Sequence, residues 1–334
     1  MNKLKCGIVG YGYMGEIRKR VIESHPRCAL VGIVETNKEK QSVIHGCQIF
    51  SSFEELLQHD VDIIFVCTPN RYAPALCIKS LQQGKHVFCE KPPGRTVEDV
   101  RNIIKAEKEN PGVKLMFGFN HRFHPVMLRA KEIIESGQLG SILNLRGLYG
   151  KSRGLDFRQS WRNDKEISGG GILLDQGIHM LDLFRYYCGD FEMVKCFTSN
   201  TFWNFDVEDN AFVILQNKKR QHAFLHSSAT MWKNTFQFDM TLTGGYMRIG
   251  GFLSKSGCYG RETLTIAKRQ LENITSAVGD PLEEIIYFDH DESWDLEVQE
   301  FIRCIDEHAS VTMSSSHDAL RVMEIIEQAY ENAQ

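Results

Sequence analysis

The feature that most constrains the fold of this 334-residue chain is a glycine pattern near its start. Gly10-Tyr11-Gly12-Tyr13-Met14-Gly15 follows an apolar, strand-like segment (residues 4–10) and precedes a stretch with helical spacing of apolar residues. In a strand–loop–helix unit, the first glycine makes the tight turn, the second admits a pyrophosphate, and the third lets helix and strand pack closely. The helix N-terminus favours the phosphate charge. The pattern therefore predicts that residues 10–15 bind a dinucleotide.

The next apolar segment indicates which dinucleotide binds. Residues 30–34 read as a strand that ends at Glu35. A carboxylate at that strand end accepts hydrogen bonds from ribose hydroxyls and repels a 2′-phosphate, which favours NAD over NADP. Lys38 lies close enough in sequence to keep NADP possible.

Strand and helix patterns then alternate as far as residue 120. Apolar strands at 61–67, 86–89 and 114–119 are separated by helical stretches at 74–83 and 96–109. This rhythm predicts a doubly wound parallel sheet of the Rossmann type over residues 1–120, with ligands at the carboxyl ends of the strands. The cofactor contacts that we expect at those ends are Thr68, Pro69, Asn70, Glu90, Lys91 and Asn120.

The pattern changes after residue 120. A helix is predicted over 124–136, followed by strand-like segments at 142–149, 211–215, 221–227 and 235–242 and helices at 296–307 and 318–332, the last with Ser316 as a candidate cap. Residues 121–334 are therefore predicted to form an α+β domain with a large, mostly antiparallel open sheet, for substrate binding and oligomerisation. The last helix could pack back on the first domain. The open face of such a sheet must be covered, and pairing of sheets between subunits would cover it, so we expect a homodimer or homotetramer.

Composition excludes several classes of protein. A net charge of −4 gives no reason to expect nucleic acid, and no apolar run is long enough to cross a bilayer. The start of the chain lacks the pattern of a secretion signal. The ten cysteines are scattered without C-x-x-C spacing, so we expect neither a metal site nor disulfides, and a cytoplasmic location.

A second motif carries the chemistry. Gly169-Gly170-Gly171 leads into a predicted helix in which Asp175 and His179 are four residues apart. That spacing places both side chains on one helix face, where a histidine beside a carboxylate can take and return a proton near neutral pH. The alternatives are an ordinary amphipathic helix with polar residues facing water, and a histidine buried in the core.

Taken in order, the motifs resemble one family, the Gfo/Idh/MocA oxidoreductases. They are the glycine pattern, Thr68-Pro69-Asn70, Glu90-Lys91-Pro92, Asn120-His121-Arg122-Phe123, Trp161-Arg162, and the triple glycine followed by Asp175, His179 and Asp182. The resemblance implies a Rossmann domain followed by an open-sheet domain, and NAD(P)-dependent oxidation or reduction of a carbinol carbon in sugars, cyclitols or related compounds. One departure is Arg71-Tyr72-Ala73-Pro74, where many members have a histidine.

The resemblance also implies roles for individual residues. Lys91, Asp175 and His179 form the implied catalytic set, and a cis peptide is expected before Pro92. His179 would take the hydroxyl proton, Lys91 would stabilise charge on the oxygen, and Asp175 would orient the sugar or His179. Asp182 could hold the imidazole of His179, but a helix-surface salt bridge or helix cap is its favoured role.

Substrate contacts are expected from Arg122 and from a basic loop before the catalytic helix. Besides Arg158 and Arg162, that loop has Lys151, Arg153 and Lys165 against Asp156 and Asp164. It could bind the carboxylate or phosphate of a uronate or nucleotide sugar, or it could simply be solvated. Trp161 could stack on the sugar or the nicotinamide, or pack in the core.

Three other functions stay open. Some relatives use NAD transiently in glycoside cleavage or elimination, without net redox change. A reductase would use the same residues in reverse. A non-catalytic, cofactor-bound regulator ranks last, because Lys91, Asp175 and His179 are all present.

Overall fold

The computed structural model describes residues 2–152, 155–254, 257–270 and 281–333. The chain divides into two compact units. The first unit comprises residues 1–120, 166–169 and 293–323, and the second comprises 121–165, 170–292 and 324–334.

Strands and helices account for most of the described chain. The strands are β1 Leu4–Val9, β2 Cys28–Val34, β3 Gln48–Phe50, β4 Ile63–Val66, β5 His86–Cys89, β6 Leu115–Phe117, β7 Ile142–Gly150, β8 Met193–Ser199, β9 Asn210–Gln216, β10 His222–Ser228, β11 Thr235–Leu242, β12 Gly245–Gly250, β13 Glu262–Lys268 and β14 Glu283–Phe288. The α-helices are α1 Tyr13–Ser24, α2 Lys38–Gln41, α3 Phe53–Gln58, α4 Ala73–Gln82, α5 Val97–Glu109, α6 Pro125–Glu135, α7 Lys165–Ser168, α8 Ile178–Cys188, α9 Ser293–Asp306 and α10 Ser316–Glu331. None of the helices in the described ranges is long and apolar enough to cross a membrane.

The first unit contains a parallel sheet with the strand order β3-β2-β1-β4-β5-β6. Its central strands are buried on both faces, as expected for a parallel sheet covered by helices. The strand order reverses between β1 and β4, and ligands in such sheets bind at the carboxyl ends of strands beside this switch point. The predicted doubly wound Rossmann sheet is confirmed.

Local sequence explains how the first unit's helices begin. The longest of them before residue 120, α5, starts with a capping box, in which Thr96 accepts from the Asp99 N–H and Asp99 accepts from the Thr96 N–H. α3 starts at a Ser52 side chain that accepts from the Glu55 N–H. These caps fix the residues at which the two helices begin, and they therefore also fix where the preceding loops end.

The second unit contains, within the described residues, an eight-stranded sheet in the order β14-β13-β12-β11-β7-β10-β9-β8. All neighbouring pairs are antiparallel except β7 with β10. α8 packs closely on this sheet, because a Cβ added at Gly147 would lie 2.5 Å from Met180 Cγ. The predicted large, mostly antiparallel sheet is confirmed.

Two details of the predicted elements are wrong. The segment before α8 is not α-helical: Leu173–Gly177 is a π-helical turn. The cap of α10 is Ser315 rather than Ser316, because the Ser315 hydroxyl accepts from the Asp318 N–H while Asp318 accepts from the Ser315 N–H.

Candidate active site

Two glycines of the predicted dinucleotide loop are required because backbone atoms lie too close to them for a side chain. Gly10 has φ +91°, and a Cβ there would lie 2.7 Å from the Cys67 carbonyl oxygen of the neighbouring strand end. A Cβ at Gly15 would lie 2.3 Å from the Gly10 oxygen. At Gly12 the nearest group is Lys40 Nζ at 3.8 Å, so this side of the loop leaves room for a ligand. Of the remaining loop residues, Tyr11 is buried, Met14 is half-buried and Tyr13 is exposed.

Glu35 is held at the end of β2, as the sequence predicted. Its Oε2 accepts from the Tyr11 N–H at 2.7 Å, and its Oε1 accepts from the Asn37 N–H at 2.8 Å. A carboxylate has about four lone-pair positions, so it can also accept from ribose hydroxyls. The dinucleotide loop and Glu35 are thus joined by a direct hydrogen bond.

The segment Thr68-Pro69-Asn70 follows β4 at the switch point. Thr68 Oγ1 is buried and has no hydrogen-bond partner among the described residues, as expected where a ligand group completes the site. Asn70 is buried, and its Nδ2 donates to the Ser168 carbonyl at 2.7 Å. The observed contact of Asn70 is therefore with the 166–169 segment, and its predicted cofactor contact stays a prediction.

Glu90 and Lys91 follow β5. The buried Glu90 carboxylate accepts from Arg18 Nε at 2.6 Å, so its observed partner is a protein side chain. Its predicted cofactor contact also stays a prediction. The Lys91–Pro92 peptide is cis, as the resemblance implied. Asn120, at the end of the next strand segment, is buried and donates to Ser293 Oγ at 3.3 Å.

In the second unit, Asp175 lies in the π-helical turn and His179 in the first turn of α8. The prediction that both lie on one continuous α-helix is therefore wrong. Tertiary contacts accompany the turn: the Glu208 carboxylate accepts from the backbone N–H groups of Gly171 and Leu173, and Ser227 Oγ donates to the Ile172 carbonyl. Single π-turns inside helices occur often at functional sites.

Asp175 has a basic partner from the predicted substrate loop. Its Oδ1 accepts from Arg162 Nε at 3.0 Å, and Lys151 Nζ lies 4.0 Å from Oδ2. The Arg162 guanidinium also lies 4.5 Å from the centre of the Trp161 ring. Arg162 thus contacts both Asp175 and Trp161, and its predicted substrate contact stays a prediction.

His179 is buried in a cluster of rings. Its imidazole stacks on that of His121, with centroids 3.6 Å apart and an interplanar angle of 13°. His121 Nε2 lies 3.1 Å from the Tyr149 hydroxyl, and the His121 ring also stacks on Phe252 at 4.3 Å. His121 and Tyr149 were not among the predicted site residues, although His121 adjoins the predicted Asn120 and Arg122.

Arg122 is held in a buried ion pair, and its predicted substrate contact stays a prediction. Its guanidinium forms two hydrogen bonds with the Asp182 carboxylate, at 2.7 and 2.6 Å, and both side chains are buried. Asp182 is thus in a salt bridge, although a buried one rather than the predicted surface one. The pair joins the 3₁₀ turn Asn120–Phe123 to α8, the two elements that carry His121 and His179.

Three further residues of the basic loop are exposed. Arg158 is exposed, with its guanidinium 5.8 Å from the centre of the Trp203 ring. The predicted substrate contact of Arg158 stays a prediction. Lys165 and Asp164 are also exposed. Arg153 and the side chain of Asp156 lie outside the described residues.

The triple glycine is explained by close packing, and it identifies a residue that the sequence did not. A Cβ at Gly170 would lie 2.2 Å from the Tyr330 hydroxyl, and one at Gly171 would lie 2.1 Å from the Glu208 carbonyl oxygen. The Glu208 carboxylate accepts from two backbone N–H groups and from the Tyr330 hydroxyl at 2.9 Å. Burial raises the pKa of this carboxyl above its usual range. Glu208 therefore anchors the start of the segment that carries Asp175.

With this geometry described, comparison with known proteins identifies the family. Residues 4–119 match the oxidoreductase family with the NAD-binding Rossmann fold, and residues 127–248 match the GFO/IDH/MocA C-terminal domain. Over 268 residues the chain is 31% identical to 2,7-anhydro-N-acetylneuraminate hydratase of Escherichia coli, covering 74% of this chain and 71% of that protein. The chain belongs to the GFO/IDH/MocA oxidoreductase family.

Two further similarities concern levoglucosan dehydrogenases. The enzyme of Pseudarthrobacter phenanthrenivorans is 29% identical over 226 residues, which cover 60% of this chain and 55% of that protein, so the match spans about half of that relative. A solved levoglucosan dehydrogenase in complex with NADH has a TM-score of 0.86 at 23% identity, covering 99% of this chain and 97% of that chain. At this identity the structural match speaks for the fold alone. The predicted family and the NAD-binding Rossmann domain are confirmed.

Proposed function

We propose that this protein is an NAD-dependent dehydrogenase or reductase that transfers hydride to or from a CH–OH carbon of a sugar, cyclitol or sugar derivative. The observation that carries the proposal is the buried His179, stacked on His121 in the unit that matches the family's C-terminal domain. The names of several relatives agree with this reaction type. They include an inositol 2-dehydrogenase of Rhizobium meliloti and a D-glucoside 3-dehydrogenase of Escherichia coli.

The residues of the first unit fit a dinucleotide. The space beside Gly12 suits a pyrophosphate, and the fixed Glu35 carboxylate suits a ribose. The buried Thr68 hydroxyl, which has no partner among the described residues, suits a polar group of the ligand. When bound, NAD supplies the hydride acceptor or donor. Because Glu35 would repel a 2′-phosphate, NAD is the expected cofactor, with NADP as the alternative.

The chain's own residues handle the proton and the charge. His179 accepts the proton of the substrate hydroxyl in the oxidative direction and returns it in the reverse direction. To Lys91 of the first unit we assign the stabilisation of the negative charge that develops on the substrate oxygen. Asp175, oriented by Arg162 at 3.0 Å, binds a neighbouring hydroxyl of the sugar. Trp161 and Arg158 contact the rest of the substrate, where Arg158 would suit an acidic group such as a uronate carboxylate.

The test is an activity assay on a panel of sugars, cyclitols, uronates and nucleotide sugars. Formation of the reduced cofactor is measured by its absorbance, and the rates with NAD⁺ and with NADP⁺ are compared. On the accepted substrate, Lys91→Ala and His179→Ala should each lower turnover by about 10²-fold or more, with NAD⁺ binding retained. His45→Ala, at an exposed histidine, is the matched control. Near-normal turnover in His179→Ala would reject its assignment as the base.

A redox-neutral reaction is the second candidate, because the relative with 31% identity is named a hydratase. Such a reaction would form product without net formation of NADH. Product and NADH are therefore measured in the same assay. One NADH per product supports the dehydrogenase, whereas product without NADH supports the redox-neutral alternative.

Self-association through the second unit's sheet is also part of the proposal. Strands β7, β8 and β9 expose large apolar side chains, namely Leu143, Phe197, Phe212 and Ile214. Exposed apolar patches of this kind mark protein interfaces. We propose a homodimer or homotetramer in the cytoplasm, and a monomer by light scattering at micromolar concentration would reject the assembly.

A further inference from the structure

A buried ionic cluster contains Glu90, the residue directly before Lys91 in the sequence. It consists of Arg18, Glu90 and Glu297, which we name the Arg18 cluster. Arg18 Nε donates to Glu90 Oε1 and Arg18 Nη2 donates to Glu297 Oε2, each at 2.6 Å. The Arg18 side chain has no exposed surface, and the two carboxylates are 7% and 0% exposed. The cluster is thus withdrawn from solvent screening.

The cluster joins three elements of the first unit. Arg18 is on α1, three residues beyond the last glycine of the dinucleotide loop. Glu90 directly follows β5 and directly precedes Lys91, while Glu297 is on α9. The Arg18 guanidinium also lies 4.3 Å from the centre of the Phe88 ring, on β5 itself. The helix that starts at the cofactor loop is therefore tied to the residue next to Lys91.

The Glu90 carboxylate is confined from a second side. A Cβ at Gly118 would lie 2.8 Å from Glu90 Oε2, so only glycine leaves room for the carboxylate there. The Glu90 N–H donates to the Val66 carbonyl at 2.9 Å, and the Gly118 N–H donates to the Cys89 carbonyl at 2.8 Å. Both the backbone and the side chain of Glu90 are therefore fixed.

Stability is a weak reason for such a cluster. A buried ion pair brings little net stability over apolar side chains of similar size, because both charges lose their hydration. What the pair does provide is directional bonding from a planar guanidinium, which fixes the position of its partner. The partner here adjoins the residue to which we assign charge stabilisation.

We infer that Arg18 is a positioning residue for Lys91, acting through Glu90. The guanidinium holds the Glu90 carboxylate inside the first unit, and this fixes the chain direction at the next residue. Glu297 serves the opposite side of Arg18 and anchors α9. The role of Lys91 in the reaction rests on the proposed function, but its positioning can be measured without a substrate.

The experiment observes Lys91 directly in the full chain. Lysines are reductively methylated with ¹³C-formaldehyde, and the dimethyl signal of Lys91 is assigned as the one missing in Lys91→Arg. We expect Glu90→Gln and Arg18→Met to shift this signal and its titration midpoint. Glu297→Gln is the matched control, because it changes the same cluster by the same chemical step on the side away from Lys91, and its Lys91 signal should match the wild type. Circular dichroism confirms that each variant is folded.

Each result decides the inference. A Lys91 signal unchanged in folded Glu90→Gln overturns it, and so does an equal shift in Glu90→Gln and Glu297→Gln, because the cluster would then only hold the fold. Should Arg18→Met fail to fold, the Glu90→Gln and Glu297→Gln comparison still decides.

Kinetics on an accepted substrate add a second readout. Glu90→Gln should lower kcat by up to about 10²-fold, the order expected for a misplaced catalytic group, with the KM for NAD⁺ nearly unchanged. Glu297→Gln should leave both constants near the wild-type values. If no sugar or cyclitol is a substrate, the proposed function fails while the NMR result on Lys91 still stands.

Discussion

The imidazole of His121 lies parallel to that of His179, with 3.6 Å between ring centroids and 13° between ring planes. A histidine that takes and returns a proton must present one ring nitrogen in a fixed direction. The stack fixes the plane of the His179 ring, and the contact of His121 Nε2 with the Tyr149 hydroxyl at 3.1 Å fixes the ring beneath it. The second unit therefore holds its candidate base through a neighbour, His121, to which the sequence analysis assigned no role.

The first prediction tests that support. His121→Phe keeps a ring for stacking but loses the hydrogen bond, and Tyr149→Phe loses only the hydroxyl. One hydrogen bond is worth about 1 kcal/mol, so each variant should lower kcat about fivefold on an accepted substrate. Because both remove the same bond, the double variant should lose no more than either single variant. Losses that multiply in the double variant would contradict a shared hydrogen bond.

The second prediction concerns the buried pair of Arg122 and Asp182. Removing one partner leaves an uncompensated buried charge, so Arg122→Met should lower the free energy of unfolding by about 3–5 kcal/mol. Arg122→Met combined with Asp182→Leu should recover much of that loss. The measurement is unfolding in urea. Arg129→Ala breaks an exposed pair with Glu132 and should cost less than about 1 kcal/mol.

Two observations would contradict this account of Arg122. Near-wild-type stability in Arg122→Met would mean that loss of the guanidinium does not leave an uncompensated charge on Asp182. A higher KM for substrate in a stable Arg122→Met variant would support the substrate contact that the sequence predicted for Arg122.

The third prediction concerns the triple glycine. A Cβ at Gly171 would lie 2.1 Å from the backbone oxygen of Glu208, and backbone atoms cannot move aside cheaply. Gly171→Ala should therefore lower the free energy of unfolding by about 1–3 kcal/mol, as overpacking does. Gly112→Ala is the matched control, because nothing lies within 4 Å of its Cβ position. Equal melting temperatures for the two variants would contradict the packing argument.

The contrast between Glu35 and Glu208 shows what the sequence could predict. The glycine loop, the strand before it and Glu35 are local signals at fixed spacing, and each was found where the spacing placed it. The pairing of Arg122 with Asp182 spans 60 residues, and the contact of Glu208 with the Leu173 N–H spans 35. Contacts of this range depend on how strands and helices pack, which no single window of sequence contains.

The π-helical turn illustrates the same limit for secondary structure. Apolar spacing in 172–183 predicts a continuous α-helix, and the spacing alone gives no sign of a wider turn. The turn at Leu173–Gly177 accompanies backbone contacts made by residues of the second unit's sheet and its neighbouring loop. The predicted segments also do not include strands β3, β8, β12, β13 and β14.

The fourth prediction concerns cofactor choice. Glu35→Ser removes the carboxylate that would repel a 2′-phosphate, so the ratio of kcat/KM for NADP⁺ to that for NAD⁺ should rise about tenfold or more. Glu39→Ser removes an exposed acid four residues away and should leave the ratio unchanged. The measurement is initial rates with both cofactors. An unchanged ratio in Glu35→Ser would assign the discrimination to other residues, of which Lys40 beside Gly12 is the nearest described cation.

The fifth prediction concerns the pH dependence of stability. Burial raises the pKa of Glu208 in the folded protein, although its hydrogen bonds from backbone N–H groups and Tyr330 oppose this. Between the ordinary carboxyl pKa and the raised one, the folded state binds more protons than the unfolded state, so the contribution of Glu208 falls as pH rises through that window. Urea unfolding from pH 4 to 8 should therefore show a stability loss with rising pH that is smaller in Glu208→Gln. Glu208→Gln should also be less stable at low pH, because its amide N–H₂ cannot accept from the Gly171 N–H. An identical pH slope in both proteins would mean that the folded Glu208 carboxyl titrates at its ordinary pKa.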